Sequence, residues 1–328
     1  MSPFGLIIFF LFSFSTTAVT RAEAPDSGSM TGTGETIPPE LFVHILRYEM
    51  PASDAAYVVP DGLVDITRGP VERMEISFTF DGGADAEDAS IILDALQDRD
   101  IQTTMFVTGQ FIRKYPEIIR RMVMDGHEVG NHTMTHPHLT DYAINSTHKT
   151  ASGVDKALIA KELKETASVF KEATGTEMAP FWRAPFGEIN ETIRRWAFEE
   201  GFLHVGWTAD PQARESLDTL DWVRDRTSRL YRSPDLIKAR VLSFGKNRGG
   251  LSGGIVLMHL GSERTDDKAS SMLPDMLDEL DALGYRFVKV SRLVEADSRF
   301  LYLIKQREQR RTKTLVSIKD AVSETNLK

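Results

Sequence analysis

Met74-Glu75-Ile76-Ser77-Phe78-Thr79-Phe80-Asp81-Gly82-Gly83 alternates apolar and polar residues up to Phe80 and then breaks off at two glycines. Alternation with a period of two predicts a β-strand, and the glycines after Asp81 predict a turn. A helical pattern follows, because apolar residues recur on one face from Ile91 to Leu96. The segment therefore predicts a strand, a turn and a helix, with an aspartate at the carboxyl end of the strand.

The same unit recurs along the chain. Further strands are predicted at 103–107, 127–130, 179–183, 204–208, 254–259 and 286–290, and further helices at 116–124, 155–174, 191–200 and 271–283. Strands alternating with helices predict parallel strands joined by crossover helices, an α/β fold. Periodicity does not separate a barrel from an open sheet, but at least six such units favour a barrel.

The composition is that of a globular protein and excludes several kinds of site. The chain has 328 residues, of which 41% are hydrophobic and 27% charged, and its formal net charge is −9. The negative charge argues against nucleic acid or an anionic membrane as the main partner. Because the chain has no cysteine, disulfides, thiolate zinc sites and cysteine nucleophiles are excluded.

The two ends of the chain differ from the region between them. The apolar run 4–14 is shorter than the ~20 residues that span a bilayer and resembles the core of a secretory signal, although no Lys or Arg precedes it. We expect residues 1–22 to be a signal peptide, and the protein to be exported without stable membrane insertion, or anchored if the leader is not cleaved. Residues 23–70 are interpreted as a flexible spacer, 71–296 as the main domain and 297–328 as a charged helix. We favour the interpretation that this helix is exposed to solvent. The alternative is that its basic residues contact an anionic partner surface.

Gly130-Asn131-His132-Thr133-Met134-Thr135-His136-Pro137 places two imidazoles four residues apart, directly after a predicted strand. Neutral imidazole is the commonest protein ligand of transition metals, and residues four apart share a face in a helical turn or a tight loop. Pro137 disfavours helical geometry at His136, so we place the pair on a loop. By itself this spacing is weak evidence of metal binding.

Titratable or aromatic residues follow five of the predicted strands. In parallel α/β folds the carboxyl ends of the strands assemble the active site. Each residue alone has an ordinary structural explanation, such as a turn aspartate or a salt-bridge arginine. Together they supply a metal pair, a carboxylate, a cation that orients it and a further histidine, which is what a hydrolytic site needs. They are Asp81, the pair His132 and His136, Arg183, the segment Trp207–Asp210, and His259.

These residues lie in motifs that resemble those of the polysaccharide deacetylases of carbohydrate esterase family four, the NodB-homology group. The resemblance covers about Val71 to Val294. The family's T-F-D-D-G motif is here Thr79–Gly83, its H-S/T-x-x-H motif is His132–His136, its R-x-P-F/Y motif is Arg183–Phe186, and its L-x-H motif is Leu257–His259. For the aspartate–tryptophan motif, Trp207–Asp210 fits by position and Asp218–Trp222 fits by pattern, and we favour the first.

The resemblance implies a distorted (β/α) barrel of seven or eight strands and a metal-dependent enzyme that removes N-acetyl groups from an N-acetylglucosamine polysaccharide. His132 and His136 would hold a divalent metal, zinc above all, which lowers the pKa of bound water towards ~7 and polarises the acetyl carbonyl. Asp81 would take the proton of that water, Arg183 would orient Asp81 and keep it ionised, and His259 would protonate the leaving amine. The resemblance implies three further roles. The N–H of Phe186 would bind the oxyanion, and Leu257 and Trp207 would line the acetyl pocket. Asp210 would raise the pKa of His259.

Gly82 departs from the family pattern, in which a second aspartate is the third protein ligand. Three arrangements remain open for the missing ligand: water takes its position, Asp81 serves as ligand as well as base, or the side chain of Asp85 or Asp88 binds the metal. An O-acetyl esterase acting on a polysaccharide such as xylan and a catalytically inactive carbohydrate-binding protein are the alternatives to an N-deacetylase. A base, an orienting arginine and an acid histidine are more than binding requires, which favours an enzyme. The remaining histidines, interpreted as structural or solvated, are His44, His127, His138, His148 and His204.

Overall fold

The computed structural model describes residues 65–83, 85–246 and 250–310. The predicted signal peptide and nearly all of the predicted spacer lie outside these ranges, as does the end of the predicted terminal helix. In chain order the elements are β1 (Glu75–Gly82), α1 (Ala89–Gln97), β2 (Thr104–Val107), α2 (Gly109–Lys114), α3 (Pro116–Met124), β3 (Glu128–Asn131), α4 (Tyr142–Asn145), α5 (Lys156–Thr174), β4 (Phe181–Trp182), α6 (Glu191–Glu199), β5 (Leu203–His204), β6 (Ala209–Asp210), β7 (Glu215–Ser216), α7 (Pro234–Ser243), β8 (Ile255–His259), α8 (Leu273–Ala282), β9 (Arg286–Phe287) and α9 (Val290–Leu293). Residues 298–310 are also helical.

β1 belongs to a seven-stranded sheet with the order β5-β4-β3-β2-β1-β8, and it pairs with three strands, β2, β8 and β9. All of these pairings are parallel, as the alternation of strands and helices predicts. Every residue of β1 is buried, because its apolar side chains enter the main core while Thr79 bonds the Val256 carbonyl at 2.6 Å. The parallel register sets Asp81 beside His259 of β8, so two strand ends meet at one point.

The regular pairing of the sheet is open between β5 and β8, and single bridges join its two edges. Ile66 forms a parallel bridge with Val205, and Arg68 forms an antiparallel bridge with Gly254. Residues 65–70 therefore pack into the fold, and their prediction as part of a flexible spacer is wrong. The α/β fold of parallel strands is confirmed. Between β5 and β8, single bridges take the place of a paired strand that would close the sheet, so the closure is distorted.

The described part of the terminal helix packs against the sheet and is not simply solvated. Phe300 stacks on Phe181 of β4 with ring centroids 5.2 Å apart, and Leu303 and Ile304 are buried with it. Arg307, from the predicted basic run, donates to backbone carbonyls of the domain. In the ranges that the structure describes, no helix combines the length and apolarity needed to cross a membrane.

Several elements differ from their predictions. β5 and β9 are two residues long where five are predicted, because the chain leaves the sheet early at both places. Helices α2, α4 and α7 and the hairpin of β6 and β7 have no counterpart in the predicted pattern. By contrast, α5 matches closely: Asp155 caps its start by accepting from the Leu158 N–H at 2.8 Å, and Gly175, with φ of 74°, ends it.

Candidate active site

Asp81 lies at the carboxyl end of β1 with only 4% of its surface exposed. Arg183 Nη1 donates to Asp81 Oδ1 at 2.6 Å, and Asp81 Oδ2 lies 3.6 Å from His132 Nε2. The register places His259 next to Asp81 on the neighbouring strand. The structure thus brings together residues from four of the five predicted strand ends around one carboxylate.

Arg183 is a fixed cation behind this carboxylate. It is 1% exposed, its Nε donates to the Val205 carbonyl at 3.1 Å, and its Nη2 donates to the Gly206 carbonyl at 2.9 Å. Its guanidinium also lies 4.2 Å from the centre of the Phe106 ring. Burial lowers the pKa of Arg183 and Asp81 opposes that effect, but an arginine stays charged at neutral pH in either case. The two backbone carbonyls fix the guanidinium, so that its Nη1 holds Asp81 in a single orientation.

The two histidines of the predicted metal pair lie side by side. The ring centroids of His132 and His136 are 4.9 Å apart, edge to face. His132 Nδ1 lies 2.9 Å from the Arg183 carbonyl, which can only accept, so Nδ1 carries the proton and Nε2 is left free as a ligand. Burial lowers the pKa of both histidines, that of His136 strongly. Both imidazoles are consequently neutral at neutral pH, as metal ligands must be.

The loop that presents these histidines is held from beneath by buried side chains. Thr133 has a φ of 66°, a left-handed conformation that a threonine rarely adopts. Asn131 stabilises it, because its Oδ1 accepts from the Thr133 N–H at 2.9 Å. Glu162 of α5 accepts from the N–H groups of Met134 and Thr135 at 2.7 and 2.8 Å. Neither Asn131 nor Glu162 is singled out by the motifs, yet both fix the backbone between the two metal-ligand candidates.

His259, at the end of β8, is bonded to Asp221. Its Nδ1 donates to Asp221 Oδ1 at 2.7 Å, and its backbone N–H donates to Asp221 Oδ2 at 2.8 Å. Burial alone disfavours the imidazolium, but Asp221, aided by Asp81 and Asp218, outweighs it and raises the pKa of His259 to about 9. His259 is therefore a cation at neutral pH, in contrast to His132 and His136.

The contact expected of Asp210 is made by Asp221. Asp210 lies in the β6–β7 hairpin, where its Oδ1 accepts from the Ala213 N–H at 2.9 Å. The aspartate–tryptophan motif that reaches the site is thus Asp218–Trp222, and the preference for Trp207–Asp210 is corrected. A bridge between Asp218 and Leu257 brings this segment alongside β8. Burial raises the pKa of Asp218 to about 6.

Of the three predicted wall residues, Phe186 contacts His136 directly, Trp207 lies against Gly187, and Leu257 lies on β8 with His259. Phe186 has a φ of 58°, and its half-exposed ring meets the ring of His136 at 4.5 Å. Trp207 covers Gly187, where an added Cβ would lie 2.7 Å from the indole. Leu257 is buried and two residues before His259, so both side chains are on the same face of β8.

The donor set fits a divalent metal with only two protein ligands assured. A Cβ at Gly82 would lie 3.1 to 3.2 Å from side-chain carbons of Leu260, Val107 and Phe111, so any side chain at this position must displace apolar neighbours. Asp85 pairs with Lys114 at 3.0 Å, and Asp88 accepts from Ser262, Ser270 and Lys268. Neither aspartate is therefore available in place of the missing ligand. Across the described ranges, no three His, Cys, Asp or Glu residues are arranged as a complete metal site. Two neutral imidazoles beside a carboxylate leave open positions that water and substrate can fill, as catalytic metals require.

Comparison with known proteins assigns the chain to a family. A family model described as polysaccharide deacetylase matches residues 68–204. A peptidoglycan-N-acetylglucosamine deacetylase of Bacillus cereus is 29% identical over 69% of this chain and 70% of its own length. An uncharacterized 30.6 kDa protein of Geobacillus stearothermophilus is 30% identical over 71% of this chain and 77% of its own.

A solved structure has the same fold. The structure of the Bc1960 peptidoglycan N-acetylglucosamine deacetylase, in complex with a hydroxamate-type ligand (4-naphthalen-1-yl-N-oxidanyl-benzamide), superimposes with a TM-score of 0.56. It is 27% identical and covers 70% of this chain and 91% of its own. The motifs, the fold and these relatives agree, and the enzyme class predicted from the motifs is confirmed. The chain belongs to the polysaccharide deacetylase family, carbohydrate esterase family four.

Proposed function

We propose that the protein is a metal-dependent hydrolase that removes N-acetyl groups from an N-acetylglucosamine-containing polysaccharide. The supporting observation is a base and an acid on adjacent strands: Asp81, held by Arg183, lies beside His259, whose pKa is raised to about 9. Amide hydrolysis requires both, since water must lose a proton and the amine must gain one. The names of the relatives, among them peptidoglycan-N-acetylglucosamine deacetylases, support the same substrate class.

Asp81 is the proposed general base. Arg183 occupies its Oδ1, and its Oδ2 is directed towards His132, where an attacking water would bind. A divalent cation, zinc in the first instance, bound by His132 and His136 would acidify that water and polarise the acetyl carbonyl. The carboxylate is buried and held by a fixed guanidinium, so it needs little reorganisation before it accepts a proton.

His259 is the proposed general acid. Asp221 accepts from its Nδ1, which fixes the ring and leaves Nε2 to donate to the leaving amine. An amine leaves as a neutral group only if it is protonated as the carbon–nitrogen bond breaks. A cationic His259 beside Asp221 supplies that proton at neutral pH, and its ion pair with Asp221 then favours reprotonation from solvent.

The proposed acetyl pocket is formed by wall residues from three segments. The backbone N–H of Phe186 is the candidate donor to the oxyanion. This residue has a left-handed backbone conformation and its ring contacts His136, so the N–H lies in a fixed turn beside the proposed metal ligand. Leu257 and Trp207 offer apolar surface for the methyl group. These roles require that the glycan lie across the carboxyl ends of β1, β4 and β8.

Acetate release from a panel of glycans tests this proposal. We expect release from N-acetylglucosamine oligomers or peptidoglycan, inhibition by a chelator, and recovery with added zinc. Release from acetylated xylan alone would favour the O-acetyl esterase, and glycan binding without any release would favour an inactive carbohydrate-binding protein. Export of the protein, with cleavage of residues 1–22, is proposed with this function because the relatives are named for peptidoglycan, a polymer that lies outside the cytoplasm. Amino-terminal sequencing of the mature protein tests it.

A further inference from the structure

A second carboxylate–histidine pair flanks the candidate active site. His138 Nδ1 lies 2.7 Å from Glu188 Oε1, so the imidazole donates to the carboxylate. Glu188 has no exposed surface, and its other oxygen accepts from the N–H groups of Leu139 and Thr140 at 2.9 Å each. The sequence motifs do not include either His138 or Glu188. Three groups of one loop are thus anchored to a single buried carboxylate.

His138 is fixed but exposed. Its side chain is 49% exposed, although its partner Glu188 is fully buried. The ring stacks on Phe186 with centroids 4.2 Å apart and planes 10° from parallel. Phe186 is itself 46% exposed, and its opposite contact is with His136, 4.5 Å away. The rings of His136, Phe186 and His138 therefore run outward from the candidate metal site to the surface.

Phe186 contacts both His136 and His138. Its ring meets that of His136 edge to face at 4.5 Å and stacks on that of His138 at 4.2 Å. Because Nδ1 of His138 donates to Glu188, Nε2 is the ring nitrogen left for a ligand. A solvated histidine has no need of a buried carboxylate, whereas a ligand-contacting one benefits from a fixed orientation.

Sugars suit a surface of this kind. A pyranose presents a face of C–H groups to aromatic rings and a rim of hydroxyl and acetamido groups to hydrogen-bonding side chains. Binding sites combine such apolar contact with a few fixed polar groups. The exposed rings of Phe186 and His138 offer the first, and Nε2 of His138 offers the second. Because both rings are exposed and Phe186 adjoins His136, they would meet a unit of the polymer next to the one at the catalytic centre.

We propose that His138, oriented by Glu188, binds the sugar unit adjacent to the one that is deacetylated and so favours polymers over single sugars. This inference rests on the proposed function in that it takes the ligand to be an N-acetylglucosamine polymer. It assigns a substrate contact to a residue outside the family motifs. Glu188 acts through His138 and is a positioning residue.

Binding of an N-acetylglucosamine tetramer to the full chain, measured by titration calorimetry, tests the inference independently of turnover. We expect His138→Ala to raise the Kd about five- to tenfold relative to the unaltered protein, the range that loss of one aromatic contact with a hydrogen bond gives. His138→Gln keeps an N–H for Glu188 but lacks the ring, so it should weaken binding similarly. His148→Ala is the matched control, because His148 is also exposed and lies against an aromatic ring, that of Tyr142, with centroids 4.8 Å apart.

Circular dichroism and the Tm of each variant establish that the fold is intact. An unchanged Kd in His138→Ala, full recovery by His138→Gln, or equal loss in His148→Ala would each overturn the assignment, as would a protein that does not bind the tetramer. Tetramer binding that depends on His138 but is accompanied by no acetate release would instead contradict the proposed hydrolase function and leave this inference standing.

Discussion

The buried histidines of the site fall into two regions with opposite electrostatics. In the loop of His132 and His136, burial lowers the pKa of both histidines, and for His132 it outweighs the opposing effect of Asp81, whose Oδ2 lies 3.6 Å from Nε2. At the end of β8, His259 is bonded to Asp221, and carboxylates raise its pKa to about 9 against the same burial. One residue type thus becomes a neutral ligand in one region and a cationic acid in the other. The neighbours, and not burial alone, assign the roles.

The strongest way to break this contrast is to remove a neutral ligand. His136→Ala should abolish both zinc uptake and acetate release, since a single remaining imidazole does not retain a catalytic metal. Zinc content after dialysis and acetate release from an N-acetylglucosamine oligomer measure the two effects. His148→Ala, an exposed histidine outside the site, should retain both. Full activity in His136→Ala would contradict the metal mechanism.

The second variant removes the charge that makes His259 an acid. Asp221→Asn should lower the rate at neutral pH about 100-fold, the lower end of what general acid catalysis contributes. His259 must be protonated, so activity should fall as pH rises through its pKa of about 9, and loss of Asp221 should move this fall to lower pH. The pH dependence of kcat/KM measures the shift.

Asp210→Asn is the control for this variant and also separates the two candidate aspartate–tryptophan segments. Asp210 lies in the β6–β7 hairpin and makes a hydrogen bond there, so the high-pH limb should stay in place. A shift of that limb in Asp210→Asn, but not in Asp221→Asn, would restore the assignment made from sequence.

The sequence predicts that Asp81, His132, Arg183 and His259 lie together, as the structure has them, but it favours Asp210 where the structure has Asp221. Both outcomes have one physical origin. The four residues directly follow strands whose apolar runs are visible in sequence, and parallel pairing brings such strand ends together. Asp221 is on an irregular segment, 38 residues before its partner His259, and reaches it through a bridge that no local pattern encodes. Its only signal in the sequence is the D-x-x-D-W pattern. That pattern is given less weight than position along the chain, which favours Trp207–Asp210.

The supporting side chains were missed for a different reason. Glu162 lies on the buried face of α5, next to Leu163 and one turn from Ile159 and Thr166. A carboxylate on the apolar face of an amphipathic helix is a signal that sequence carries, because burying it requires partners. What sequence does not carry is the identity of those partners, the N–H groups of the metal loop. The bridges of Ile66 and Arg68 are likewise non-local, which is why the spacer boundary was placed too late.

Glu162 offers a way to sharpen the contrast by loosening the ligand region without removing a ligand. The N–H groups of Met134 and Thr135 both donate to Oε2 of Glu162, and the Thr135 hydroxyl donates to Oε1. Glu162→Gln removes the negative charge and one of these two acceptor oxygens, so the histidines are held less firmly. Residues that support metal ligands typically change metal affinity by ~10- to 100-fold, and we expect the low end here. Zinc titration with a competing chelator measures it. Glu165→Gln, on the exposed face of α5, should have no effect, and equal affinity in both variants would contradict the role of Glu162.

Gly82 gives the smallest expected effect and tests why the ligand region is incomplete. Gly82→Asp should tighten zinc binding severalfold relative to Gly82→Ala, because only the aspartate adds a donor. Both variants should lower the Tm alike, since a Cβ at this position meets Leu260, Val107 and Phe111 at 3.1 to 3.2 Å and those side chains must shift. Comparison with alanine therefore separates the added carboxylate from the crowding that any side chain causes. Equal zinc affinity in the two variants would mean that position 82 is directed into the apolar layer and away from the metal. The two histidines, with Asp81 beside them, would then constitute the entire protein contribution to metal binding.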